Sequence, residues 1–78
     1  MSAREVLEEL DRLAISIFYR QLGRGPDTRI SVGLGWERVY PELRRALEER
    51  TPELLKMARF EPSWHTPGTY LRRPGGAA

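Results

Sequence analysis

The chain has no cysteine, only one lysine and one histidine, and no apolar run longer than three residues. Without thiols there is no disulfide to staple the fold and no thiolate to hold a metal. His65, the sole histidine, has only scattered carboxylates around it in sequence, which gives neither a metal-ligand set nor a nucleophile with an oriented base. Ser63 shares a face with it on an extended segment, yet no third group completes a relay. The expectation is a protein that is not an enzyme and carries no cofactor and no metal. The short apolar runs are far below the length of a spanning helix, and the first residues lack the cationic and then apolar pattern of a signal sequence, so the default expectation is a soluble cytoplasmic protein without a membrane partner.

At 78 residues the chain is expected to form one compact domain over residues 1–73, with a disordered tail at 74–78 rich in glycine and alanine. That size is near the lower limit at which a single apolar core holds without disulfides or metal.

What is abundant is arginine. Twelve of the thirteen cations are arginine, with Lys56 the exception. Arginine offers a planar, permanently charged fork that grips phosphate or carboxylate in two places, where lysine offers a mobile point charge. The bias fits an anion-binding surface, but the first explanation to weigh is a GC-rich genome, or a thermophile, that writes arginine wherever a cation is wanted. The net charge of +2 is unevenly spread. Residues 1–19 hold Arg4 and Arg12 against Glu5, Glu8, Glu9 and Asp11, a balance of −2, so residues 20–78 carry the remaining +4. An acidic first segment before a basic remainder is a mild form of the asymmetry found in nucleic-acid binders.

Ser2-Ala3-Arg4-Glu5 has the form of a capping box, which starts a helix. Val6, Leu7, Leu10, Leu13, Ala14, Ile17 and Phe18 then recur at three- and four-residue spacing, and Gly23 is a natural stop. The pattern predicts one amphipathic helix over residues 3–22 that buries Leu10, Leu13 and Ile17. Gly25-Pro26-Asp27 reads as a turn and Arg29–Val32 as a short strand, broken by Gly33-Leu34-Gly35. That Gly-x-Gly, like Gly23-x-Gly25, lacks the third glycine of a dinucleotide fingerprint. Trp36–Tyr40 is expected to be a short helix or irregular turn packed on the first helix. Pro41 suits the first position of a helix in which Leu43, Ala46 and Leu47 face inward, while Arg44, Arg45, Glu48 and Glu49 face out. Thr51 and Pro52 read as the cap and first position of another helix, with Leu54, Leu55, Ala58 and Phe60 inside. Ser63–Leu71 places strand formers on both sides of a Pro67-Gly68 turn, a hairpin signal.

The resulting fold class is α+β: three helices, a short strand and a C-terminal β-hairpin, in the layout of a small winged-helix domain. This likeness is one of architecture, and fold alone does not establish function. Within it, Arg44 and Arg45 sit on the helix that a winged-helix protein would lay in the major groove, where arginine reads guanine edges or holds phosphates. The bland alternative pairs Arg44 with Glu48 and Arg45 with Glu49 along the helix. Arg72 and Arg73, with Tyr70 and His65 nearby, follow the hairpin as phosphate-gripping residues of a wing. Trp36, Tyr40, Trp64 and Tyr70 are expected first to fill a core short of volume, and only second to stack on bases. The leading expectation is a small regulatory or accessory protein that binds nucleic acid, duplex DNA first, through Arg44, Arg45, Tyr70, Arg72 and Arg73. The alternative is a protein-interaction module. A homodimer through Leu7, Leu10, Ala14 and Phe18 of the first helix is a further expectation.

Overall fold

The computed structural model describes residues 1–20 and 28–75. The expectations placed on Gln21, Leu22, the Gly23 stop, the Gly25-Pro26-Asp27 turn and the last three residues of the tail fall outside the described residues.

The chain is α+β, with three helices and a four-stranded antiparallel sheet. Helix α1 spans Ala3–Arg12 and starts as its sequence dictates: Ser2 accepts from the Glu5 amide and Glu5 accepts from the Ser2 amide, so both halves of the capping box are present. The bond from the Ser2 amide, with the Ser2 hydroxyl adding to it, holds the Glu5 carboxyl below its ordinary pKa.

The expected helix over residues 3–22 is wrong beyond Arg12. Leu13 closes the helix, Ala14 turns into the left-handed region at φ 55°, and Ile17–Arg20 is strand β1. The Ile15 amide donates to Leu10 and the Ala14 amide donates to Asp11, the pair of bonds that defines a Schellman stop. Leu10 and Ile15, the two positions whose apolar contact commonly accompanies this stop, are both fully buried in the same core cluster. The physical reason is that Ile15-Ser16-Ile17-Phe18-Tyr19 is a β-branched and aromatic run whose polar and apolar residues fit a strand as well as a helical stripe. Packing against the rest of the sheet decides for the strand.

Alanine at the left-handed position costs about 1–2 kcal/mol that glycine would not. Ala14→Gly removes that strain and leaves no cavity, because Ala14 is exposed. Glycine's larger unfolded-state entropy takes back about 0.4–1 kcal/mol. Urea denaturation is expected to show the variant more stable by about 0.5–1 kcal/mol; a lower midpoint would mean that Ala14 makes packing contacts that outweigh the strain.

Strand β2 is shorter than expected, Ser31–Val32. Trp36–Arg38 forms a 3-10 turn, as the sequence suggested. Helix α2 runs Pro41–Glu49, with proline in its first turn and Leu43, Ala46 and Leu47 buried. Only Arg50 separates it from α3, Thr51–Met57, which stops short of Phe60. Thr51 does not cap α3; its hydroxyl donates back to the Leu47 carbonyl of α2 and ties the two helices at the corner. The hairpin is looser than a Pro-Gly turn implies: β3 is Glu61–Pro62, β4 is Thr69–Arg72, and residues 63–68 form the loop between them.

The sheet order is β2-β1-β4-β3. β1 lies at the centre beside β4, with Ile17 opposite Arg72, Phe18 opposite Leu71, Tyr19 opposite Tyr70 and Arg20 opposite Thr69. Both edges are two-residue strands, and β3 carries Pro62, which cannot donate to a further strand. Among the described residues the fully buried core is aliphatic: Ala3, Val6 and Leu10 of α1, Ile15, Ile17 of β1, Leu43, Ala46 and Leu47 of α2, and Leu54 of α3. No helix among the described residues is long and apolar enough to cross a membrane.

Candidate functional site

The structure separates the residues that the sequence grouped. Arg44 and Arg45 stand exposed on the side of α2 opposite its buried residues. The intrahelical pairs expected to neutralise them do not form: no carboxylate lies within ion-pairing distance of either among the described residues. Glu42, Glu48 and Glu49 remain beside them on the same helix, also without an ion-pair partner among the described residues.

Arg72 has a structural task. Its guanidinium donates to both carboxylate oxygens of Asp11 in α1, at 3.0 and 3.2 Å, and the Gly75 amide adds a third bond to Asp11 at 2.9 Å. This two-pronged clamp fastens the end of β4, and the first residues after it, to the C-terminal turn of α1. Partial burial works to raise the Asp11 pKa, but the bonds from Arg72 and Gly75 and the Arg72 charge outweigh it and hold the carboxyl below its ordinary value. A lowered folded-state pKa means that the clamp stabilises fully above the unfolded carboxyl's pKa and is lost as pH falls through the lower, folded value. Asp11→Asn is expected to cost about 1–2 kcal/mol at neutral pH, a charge-assisted bond reduced by the solvent exposure of Asp11. The gap between variant and wild type should close as pH falls below about 4. Equal stability of the two proteins at pH 7 would show that the clamp contributes nothing.

Arg73, one residue on, is exposed and has no ion-pair partner among the described residues. Tyr70 stacks on Tyr19, its cross-strand neighbour, with ring centroids 5.2 Å apart, and Phe60 meets the edge of Tyr19 at 4.8 Å. These rings form a half-buried aromatic patch. The hairpin loop leaves from the other end of β4, so Arg72 and Arg73 are at the base of the hairpin and not at its tip.

The tip carries Trp64, 96% exposed, followed by exposed His65. Arg20, also exposed, is opposite Thr69 at the end of the ladder from which the loop springs. Sequence reasoning put Trp64 in the core and gave Arg20 no role. A second exposed apolar group, Leu34 at 79% and Trp36 at 65%, lies in the turn after β2, where Trp36 was also expected to be buried. Tyr40 does pack: it is half-buried against the core and donates to Glu9 at 2.9 Å, and its burial and this carboxylate hold the phenol above its ordinary pKa.

Gly33 and Gly35 have structural roles. Gly33 lets the chain pass so close to buried Ser16 that a Cβ would stand 2.8 Å from the Ser16 hydroxyl, which accepts from the Leu34 amide at 2.7 Å. Arg38, just beyond Gly35, reaches back to the Leu13 and Ala14 carbonyls at 2.6 and 3.0 Å and caps the end of α1.

The apolar strip expected to bind a second copy is not continuous: Leu10 is inside the core, Ala14 lies in the turn, and Phe18 belongs to β1. Among the described residues no three His, Asp or Glu side chains come together as a metal site requires. Comparison of the chain with family models, with curated proteins and with solved structures finds no match.

Proposed function

We propose that this chain is a small nucleic-acid-binding domain that grips the phosphate backbone and has little dependence on sequence. The observation that carries the reading is the charge left over after internal pairing. Arg12, Arg38, Arg50 and Arg72 are each engaged by a carboxylate, and Arg4 is held loosely by Glu8 at 3.4 Å on the exposed face of α1. What stays without an ion-pair partner among the described residues is Arg20, Arg29, Arg44, Arg45, Lys56, Arg59 and Arg73, against Glu5, Glu42, Glu48, Glu49 and Glu61. The surface available to a partner keeps the chain's small cationic excess and carries it on arginines free to grip phosphates, whose neutralisation drives non-specific binding to nucleic acid.

The pairing of β1 with a C-terminal hairpin, together with three helices, supports a winged-helix layout. The departures from that layout argue for phosphate gripping over base reading. α3, the second helix of the helix-turn-helix, has seven residues and exposes Glu53, and the corner before it is the single residue Arg50. If Arg44 and Arg45 entered a groove, Glu48 and Glu49 would be carried toward phosphates. In the hairpin loop exposed Trp64 offers a stacking face, and exposed Arg20 lies at the same end of the sheet, which also suits single strands.

A second reading, a protein-interaction module, is favoured by Leu34 and Trp36, whose exposure nucleic-acid binding does not use. Fluorescence anisotropy with random 20-mer duplex, single-stranded DNA and RNA at low salt separates the two. Micromolar affinity for any of the three, with strong retention on heparin, supports the nucleic-acid reading. No affinity for all three gives the function to the second reading.

A further inference from the structure

A cleft of about 730 Å³ opens between α1, the end of α3 and the base of the hairpin. Leu7 of α1, Met57 of α3 and Leu71 of β4 line it with apolar surface; Met57 is 54% exposed, and the two leucines are half-buried. Arginines share the lining with these apolar groups. Arg59 and Arg73 line the cleft and have no ion-pair partner among the described residues. Arg4, also lining it, is held only by Glu8 at 3.4 Å across an exposed helix surface, a pairing too weak and too solvated to keep it from a ligand. Arg72 is paired with Asp11 in the cleft wall, which removes that acid from the balance of charge. Glu61 is the one uncompensated acid in the lining among the described residues.

We propose that this cleft is a docking site for an acidic segment of a partner protein, one that sets an apolar side chain on Leu7, Met57 and Leu71 and presents carboxylates to Arg4, Arg59 and Arg73. Charge complementarity and the apolar floor point to the same occupant. A phosphate backbone satisfies the arginines but has no apolar group to cover Met57, and a neutral apolar peptide leaves the arginines unused. Arginine forks and a thioether, which adapts its shape, are residue types enriched at protein interfaces. The site is separate from Arg44 and Arg45 on α2 and from the hairpin loop, and it assigns Arg59 and Arg73, two of the unpaired cations, to the acidic segment in place of phosphates.

The test pans a phage-displayed library of random dodecapeptides on the full chain and measures the best binder by anisotropy against wild type, Arg59→Ser/Arg73→Ser and Met57→Glu. Both variants alter exposed side chains, and their ¹H–¹⁵N spectra establish that each is folded before binding is read. The expected result is a selected set in which Asp or Glu stands near Leu, Phe or Trp, and a loss of at least about tenfold in affinity in each variant. A selected set without acidic enrichment, or full affinity in both folded variants, overturns the proposal. It is also overturned if a 20-nucleotide single strand displaces the peptide and loses its own affinity in both variants, which would make the cleft a nucleic-acid site.

Discussion

Leu10→Ala is expected to destabilise the protein by about 2–5 kcal/mol, enough to unfold much of it at room temperature. Leu10 is fully buried, among the largest side chains of the core, and lies at the centre of the stop that turns α1 into β1. Its truncation removes apolar contact and leaves a cavity that surrounding elements cannot easily fill, because Ile15 next to it is fixed by the bond from its amide to the Leu10 carbonyl. A domain of this size has no disulfide to limit the damage. Chemical denaturation checks it: a midpoint equal to that of wild type would remove Leu10 from the core.

Gly35→Ala is expected to cost about 2–4 kcal/mol, and for a different reason. Gly35 has φ 84°, where an L side chain is strained, and a Cβ there would stand 2.8 Å from the Ala14 carbonyl oxygen, 3.1 Å from the Ile15 Cα and 2.8 Å from an Arg38 guanidinium nitrogen. The methyl would enter the place where Arg38 caps the end of α1, so the backbone strain and the loss of a charge-assisted cap arrive together. The same thermal or chemical melt reads it. Unchanged stability would mean that the turn after β2 shifts freely, against its bonds to Ser16.

Local signals in the sequence were read well where one short stretch decides the outcome. The capping box at Ser2, proline opening α2, the 3-10 turn at Trp36 and the inward residues of α2 each depend on neighbours a few positions apart. The run from Leu13 to Phe18 failed because its spacing satisfies a helix and its β-branched and aromatic content satisfies a strand, and the stop residue is alanine where glycine would have signalled the end. The tryptophans were expected in the core because a domain this small is short of buried volume, whereas aliphatic residues, Ile15 and Ile17 among them, fill it and leave Trp36 and Trp64 outside. The site was least legible. Arg72 meets Asp11 across 61 positions, and no local pattern reports that this arginine is spent on the fold. Arg20, by contrast, became a candidate only when β1 placed it beside the hairpin.

The central claim is that unpaired arginines, Arg44 and Arg45 foremost, neutralise phosphates. The most direct test is the salt dependence of affinity for a random 20-base-pair duplex, measured for wild type and for Arg44→Gln/Arg45→Gln with circular dichroism to establish folding. Each phosphate contact contributes about 0.9 to the slope of log affinity against log salt. The predicted result is micromolar binding at low salt with a slope of about −3 or steeper, reduced by about two units in the double variant, with the loss shared equally by unrelated duplex sequences. Absence of binding by wild type at low salt, or a slope that the double variant leaves unchanged, contradicts it.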